Sequence, residues 1–416
     1  MSENVQKTLR DSAALRWLAL ILLAGAMFCS YIFMDILSPI KDLMWDTKGW
    51  DSTAFGTMQG SETFLNVFVF FLIFAGIILD KMGVRFTAIL SGAVMLVGAT
   101  INWYALTDMF AGSNLEVWFN EHLNYIPGFD ELGVSPFYKG MPASAKFSAI
   151  GFMIFGCGVE MAGITVSRGI VKWFKGREMA LAMGSEMALA RLGVATCMIF
   201  SPMFARLGGE VSVSRSVAFG VVLLMIALIM FIVYAFMDKK LDSQTGEAEE
   251  KDDPFKLSDL GKILTDSGFW LVALLCVLYY SAIFPFQKYA VNMLQCNLVF
   301  HQVDPSSIWA SNTITIIQYV IMLVVAACAF ASNFSKNKVA KYGLMGAAIV
   351  ALVVFCYMGY MRQSAETVFA VFPLLAVGIT PILGNYVDHK GKAATMLVLG
   401  SLLLIACHLT FAFVLP

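Results

Sequence analysis

Residues 154–194 read IFGCGVEMAGITVSRGIVKWFKGREMALAMGSEMALARLGV. Two apolar stretches flank a short basic turn, KWFKGRE, at 172–178. Glu160 lies near the middle of the first stretch and Arg191 within the second. Apolar runs of this length cross a bilayer as helices, so both ionisable groups are expected at membrane depth. Each costs roughly 2.5–3.5 kcal/mol there on insertion scales. Two such groups of opposite sign on adjacent helices are expected to serve each other, or a solute held between them.

Working outward, the rest of the chain has the same character. Hydrophobic residues make up 59% and charged residues 14%, where soluble domains average about 25% charged. Mean hydropathy is +0.76. About eleven apolar runs long enough to span recur, at 15–38, 57–79, 86–107, 146–170, 179–205, 214–237, 267–292, 309–332, 339–361, 366–386 and 393–415. The fold class expected is an all-α polytopic membrane protein whose first partner is the lipid bilayer. A net charge of −1 supplies no basic surface for nucleic acid. The 8 cysteines fall in or beside apolar runs and form no CxxC pair or Cys/His cluster. They read as packing residues, with no disulfide framework and no metal site implied. No phosphate-binding loop, metal-ligand cluster or nucleophile motif occurs, so neither an enzyme nor a cofactor is expected. The polar start, MSENVQKTLRDSAALR, leads into a full-length apolar run without a small-residue cleavage site, which makes that run a span and not a signal peptide.

Basic residues set the orientation. Lys7, Arg10 and Arg16 precede the first span. Lys81 and Arg85 follow the second, Lys172, Lys175 and Arg177 the fourth, and Lys239 and Lys240 the sixth. Lys336, Lys338 and Lys341 follow the eighth, and Lys390 and Lys392 the tenth. The intervening loops are acidic or mixed. The positive-inside rule then puts the N-terminus in the cytoplasm, and an odd number of spans puts the C-terminus outside.

Further polar groups sit in the spans. Asp35 precedes Pro39 at the end of the first, where it faces either a cavity or the outer interface. Glu62 and Asn66 share a helical face at i, i+4, with Glu62 at the outer end, where water solvates it. The outer loop 108–145 is long and holds a candidate amphipathic helix at 114–123, NLEVWFNEHL. It reads as a lid or as an insertion.

The turn after the second span is GIILDKMGVRF, 76–86. Gly76, Asp80, Gly83 and Arg85 fit the pattern G-x-x-x-D-x-x-G-x-[RK]. Glycine permits a tight turn and close helix contact, and an Asp caps a helix or pairs with a base. The pattern returns in GNYVDHKGKAA, 384–394, as Gly384, Asp388, Gly391 and Lys392. This repeated turn resembles the signature of the major facilitator superfamily. The resemblance implies two parallel halves related by an internal repeat.

Glu186 and Arg191 are about 140° apart around their helix, so they do not share a face, and Glu160 is the expected partner of Arg191. From the residues alone two readings stand. The pair either locks two helices together, or grips the two ends of a zwitterion, with Arg191 on a carboxylate and Glu160 on an ammonium. Arg168, near the inner interface, is expected to snorkel. The run G-x-G-x-E, then W-F-K-G-[KR]-E, then A-R-[LI]-G, with acid and base 31 residues apart, resembles the lysosomal dipeptide-transporter branch of that superfamily (its domain-containing protein 1 group) and bacterial relatives of the branch. The resemblance covers 15–237 and is patchy beyond. It implies that Glu160 and Arg191 contact substrate and that a short peptide is recognised by its termini.

Three regions follow: a six-helix N-terminal bundle, 1–237; a polar cytoplasmic linker, 238–266; and a C-terminal bundle, 267–416. In the last, Tyr279, Tyr280 and Lys288 are candidate cavity residues, Pro285 is expected to break the seventh span, and His408 reads as a packed or hydrogen-bonded residue. The second signature turn follows the tenth span where the repeat puts it after the eighth. A helix pair within about 309–361 therefore looks inserted, and three family helices look missing, so the half-bundle is a fragment or incomplete by design. The function expected is transport of a small solute by alternating access in a bacterial-type inner membrane. The solute is a dipeptide or another small zwitterion. An organic-anion carrier and an incomplete, non-transporting binding protein are the alternatives. Protonation of Glu160 or Asp35 would couple transport to a proton gradient, and a facilitative carrier fits as well.

Overall fold

A computed structural model of the chain describes residues 8–245, 257–301, 303–335, 337–390 and 392–413. Contacts divide it into two compact units, Met1–Asp252 and Asp253–Pro416. Nine helices among the described residues are long and apolar enough to cross a membrane. A tenth apolar stretch, Ala365–Thr380, is shorter.

In the first unit, α1 is Ala13–Met34, α2 is Lys41–Lys48 and α3 is Ser52–Gly60. A 3-10 turn, Ser61–Thr63, leads to α4, Phe64–Phe68, and α5, Phe71–Ala105. Then come α6, Asn114–His122, α7, Ala143–Phe174, α8, Met179–Ala205, and α9, Val213–Thr245. The span expected at 57–79 is not one helix. It is assembled from α3, the 3-10 turn, α4 and the start of α5. Polar groups turn inward at the break, where the Ser61 hydroxyl donates to the Met58 and Ala149 carbonyls. Phe70, between α4 and α5, has φ 56°, a left-handed conformation unfavourable for a side chain of that bulk.

The next two expected spans, 57–79 and 86–107, merge in α5 because the turn between them needs no loop. Gly83 alone turns the chain, with φ 79° and ψ 169°, values that favour glycine. Further along, α5 crosses α7 where Gly98 faces Gly151. A Cβ on Gly151 would stand 2.6 Å from the Gly98 carbonyl oxygen, so only hydrogen at this position lets the backbones meet.

Charges at the signature-turn end of the unit are paired. Arg168 bonds Asp80 and does not simply snorkel as expected. Both lie at one interface, so an ion pair is available as well as water. Arg85 reaches Asp242 at 2.6 Å and Asp238 at 4.0 Å. Lys172 bonds the same two acids at 2.7 and 2.8 Å. Asp238, with no exposed surface, also accepts from the Trp173 indole at 3.0 Å and the Tyr234 hydroxyl at 3.4 Å. The segment before α1 is clasped nearby by Arg177–Asp11 at 2.5 Å and Arg16–Glu178 at 3.3 Å.

At the other end, α6 forms over the expected residues, capped by the Ser113 hydroxyl. Phe119 on α6 packs with Phe110, Ala143, Tyr104 and Phe147. The buried Lys146 ammonium donates to the Phe119 carbonyl and the Asn124 side chain, both at 3.1 Å. The loop 108–145 is thus folded onto the start of α7.

The second unit holds α10, Leu257–Thr265, α11, Ser267–Asn297, α12, Asn312–Phe334, α13, Lys338–Arg362, α14, Ala365–Lys390, and α15, Ala393–Phe413. The expected linker is helical at both ends, in the tail of α9 and in α10, and 246–256 lie outside the described residues. Helix α11 continues through Pro285. In an apolar span every backbone group that can bond within the helix does so, and the loss of one amide does not end it. Buried Gln318 ties α12 to α13, accepting from Arg362 at 2.7 Å and donating to the Phe355 carbonyl at 3.4 Å. Of the second signature turn, Gly391 lies outside the described residues, Gly384 and Asp388 fall on α14, and Lys392 is exposed.

Candidate functional site

Two close helix approaches in the first unit each deliver a charged residue. A Cβ on Gly156 would collide with the Glu62 carbonyl oxygen. This contact lets the 3-10 turn press onto α7 one turn before Glu160, and the Asn66 amide donates to the Gly156 carbonyl at 3.3 Å across it. A Cβ on Gly193 would lie 2.6 Å from the Phe28 carbonyl, so α8 meets α1 beside Arg191 and one turn before Tyr31. The small residues of the G-x-G-x-E and A-R-L-G runs are the reason these side chains converge.

They converge on the phenol of Tyr31. It lies within electrostatic range of Arg191, Glu186, Glu160 and Glu62. Tyr31, Glu160 and Arg191 are half-buried. Glu62 and Glu186 are each 8% exposed. Glu62 is therefore not solvated at the outer end as expected, because the break in its span turns it inward. Glu160, Glu186 and Arg191 make no hydrogen bond or ion pair among the described residues. Acid and base thus stand around one phenol without closing on each other. In a low-dielectric setting such groups are costly unless something bonds them.

The other candidates have surroundings of their own. Asp35 caps the end of α1 with no exposed surface and is absent from the groups that act on Tyr31. In the second unit Tyr279 and Tyr280 are 43% and 49% exposed, and Tyr280 stacks on Phe284. Lys288 is half-buried on the same helix. Tyr279 borders an apolar groove with His408, whose Nε2 lies 3.2 Å from the Ala282 carbonyl oxygen.

Three members of the cluster escape the sequence reading: Tyr31, Glu62 and Glu186. Glu186 is set aside by helical angle, yet a phenol from another helix is within range of both it and Arg191. The available signal is Tyr31 itself, a phenol between Ser30 and Asp35 in the first span.

A family model described as Major Facilitator Superfamily matches residues 23–365, most of the chain. Among curated proteins, the lysosomal dipeptide transporter MFSD1 of Homo sapiens is 24% identical over 280 residues, 65% of this chain and 52% of that protein. The Danio rerio lysosomal dipeptide transporter MFSD1 is 30% identical over 145 residues, 33% of this chain and 31% of that one. The chain spans about half, or less, of the length of these relatives. Among solved structures, the partially occluded inward-open xylose transporter XylE from E. coli aligns with a TM-score of 0.45 at 9% identity, covering 90% of this chain and 99% of that one.

Proposed function

Because the chain belongs to the major facilitator superfamily, we propose that it carries a small zwitterion, best a dipeptide, across the membrane by alternating access. Arg191 holds the substrate carboxylate in its planar fork. Glu160 holds the ammonium, and the Tyr31 hydroxyl bonds either end. One observation carries this reading: acid and base surround Tyr31 while no ion pair joins Glu160 to Arg191 among the described residues. A pair whose task was to lock two helices would be closed. The similarity to lysosomal dipeptide transporters supports the choice of solute.

The same reading puts the N-terminus in the cytoplasm of a bacterial-type inner membrane, with an N-terminal bundle over 1–237. Asp80 and Arg85 of the signature turn hold the conformational balance through the bonds they make with Arg168, Asp238 and Asp242.

Ligand-induced thermal stabilisation of the purified protein tests the proposal. Dipeptides should raise the melting temperature, and single amino acids and dicarboxylates should do so far less. The effect should vanish in Arg191→Ala and Glu160→Gln. Stabilisation by dicarboxylates that needs Arg191 alone would identify an organic-anion carrier.

A further inference from the structure

Where α4 meets α7, one buried acceptor is left without a donor. The Asn66 amide nitrogen donates to the Gly156 carbonyl at 3.3 Å. A carbonyl only accepts, so this bond fixes which end of the amide faces α7. The other end, Oδ1, is shut off from water and has no partner among the described residues. Such an atom is destabilising until something donates to it.

Gly156 ties Asn66 to the ammonium end of the site. Within α7 its carbonyl also takes the backbone N–H of Glu160, four positions on. Positions 156 and 160 share a face of the helix, and a helical side chain leans back over the turn before its own. The Glu160 side chain is thus directed to the turn that Asn66 bonds. Glu62 borders the same glycine, its Cγ 3.1 Å from where a Cβ would stand. The groups gathered there are two carboxyls and an amide oxygen, with the amide nitrogen already committed. That set suits a positively charged ligand rich in N–H donors.

We propose that Asn66 is a substrate-binding residue that completes the ammonium site of Glu160 and makes it specific for a primary ammonium. This rests on the zwitterion reading above and goes beyond it by naming a second acceptor and what that acceptor selects. A primary ammonium carries three N–H donors. The Glu160 carboxylate takes one or two of them, and Asn66 Oδ1 takes another. An amine with a single N–H satisfies Glu160 and leaves Oδ1 buried and unbonded. A site built to hydrogen-bond a group rejects the analogue that lacks it, for this reason. Asn66 stands on α4, a five-residue helix between the 3-10 turn and the left-handed Phe70. A shift of that one short element brings Oδ1 to a ligand without moving a whole span.

The test uses the full chain and two ligands, Ala-Ala and N,N-dimethyl-Ala-Ala, at about pH 6.5, where an α-amino group is charged. The concentration giving half the maximal thermal shift is measured for the parent, Asn66→Leu and Asn66→Ala. In the parent the dimethyl ligand, with one N–H, should need at least about tenfold more than Ala-Ala. Asn66→Leu keeps the bulk and removes the acceptor. Its ratio should fall within about threefold, and should do so because Ala-Ala binds more weakly. Asn66→Ala should behave alike. Equal values for the two ligands in the parent overturn the proposal, whether or not the variants fold. A ratio unchanged in Asn66→Leu overturns it as well. So does a ratio that falls in Asn66→Ala only because the dimethyl ligand binds better, which would assign the preference to bulk. If Ala-Ala does not stabilise the parent at all, the zwitterion reading has failed and this inference with it, a result distinct from Ala-Ala binding without preference.

Discussion

The first unit keeps its charges in two places that differ in one respect. Around the signature turn, Asp238 has no exposed surface, yet it bonds Lys172, Trp173 and Tyr234, and Asp242 bonds Arg85 and Lys172. Around Tyr31, Glu160, Glu186 and Arg191 all act on one phenol and bond nothing among the described residues. Glu160 and Arg191 are half-buried where Asp238 has no exposed surface, but Glu186 is more than nine-tenths buried and still unbonded, so partnering marks the difference more sharply than burial. Buried charge with its bonds complete is a fastening, and the same chemistry with its bonds open is a place for a ligand.

Breaking the fastening should have the largest effect on stability. Asp238→Ala leaves the Trp173 indole and the Tyr234 hydroxyl without their buried acceptor and Lys172 with Asp242 alone, and severing a buried pair from one side costs about 3–5 kcal/mol. Denaturation in detergent should show a loss of that order. Asp80→Asn is the control. Its pair with Arg168 is 39% and 31% exposed, so the expected stability change is below about 1 kcal/mol.

Opening the ligand place should do the reverse. Arg191→Ala removes a charge-assisted bidentate contact, worth about 1.5–3 kcal/mol, so dipeptide affinity should fall by about ten- to a hundredfold. The melting temperature without ligand should stay level or rise, since a costly unbonded charge has gone. Titration calorimetry beside a melting curve separates the two. An Arg191→Ala protein that melts well below the parent would mean that the cluster is a fastening too.

Much of this contrast was legible in the sequence. The spans follow from hydropathy, and the signature turn from residues whose types suit their places: Gly83 takes a positive φ, and Arg85 finds acids. Gly156 and Gly193 sit in the G-x-G-x-E and A-R-L-G runs that carry the family resemblance. What was hidden is the break in the second span. The stretch 57–79 has no proline, and its polar run QGSET at 59–63 reads equally as the solvated end of a span, so nothing local indicates that Ser61 and Glu62 turn inward. Their conformation is set by carbonyls of α7, which are distant in sequence. The partner of Arg168 was hidden for a related reason, because snorkelling and pairing place a side chain at the same interface. Glu186 was lost to a rule about shared helix faces, which governs pairs on one helix and not clusters gathered by a third residue.

That break offers a smaller test. Phe70 holds φ 56° where glycine would rest without strain. Phe70→Gly relieves an unfavourable backbone worth about 1–2 kcal/mol and loses a side chain that is already 62% exposed. A net gain of up to about 1 kcal/mol is expected, read as a rise in melting temperature. Phe70→Ala keeps the strain and should show no gain. A loss in Phe70→Gly as large as in Phe70→Ala would mean that the ring, not the backbone, matters here.

The smallest effect should come from the clasp that precedes α1, whose charges are both paired and wet. Hydrogen bonds from the Thr8 backbone amide and hydroxyl hold the Asp11 carboxyl below its ordinary range, with Arg177 adding to them. Glu178 is held below its own range first by a backbone hydrogen bond and then by Arg16. A carboxyl that is more acidic when folded contributes stability above its unfolded value and loses it as the pH falls through the folded one. The clasp should therefore be closed at neutral pH and open only as the pH falls below the ordinary carboxylate range. Trp17 reports on it, because its ring meets Phe174 edge-on at 5.7 Å beside Arg16. Its fluorescence, isolated by subtracting a Trp17→Phe protein, should change on acidification. In Asp11→Asn with Glu178→Gln that change should be absent and the neutral-pH signal should already match the acid one. A double variant that keeps the parent's acid transition would assign the transition to other carboxylates, and the N-terminal segment would then be held by Arg16 on Phe174 and by the Leu9 amide bonded to Gln244 at 2.9 Å, contacts without an acid in them.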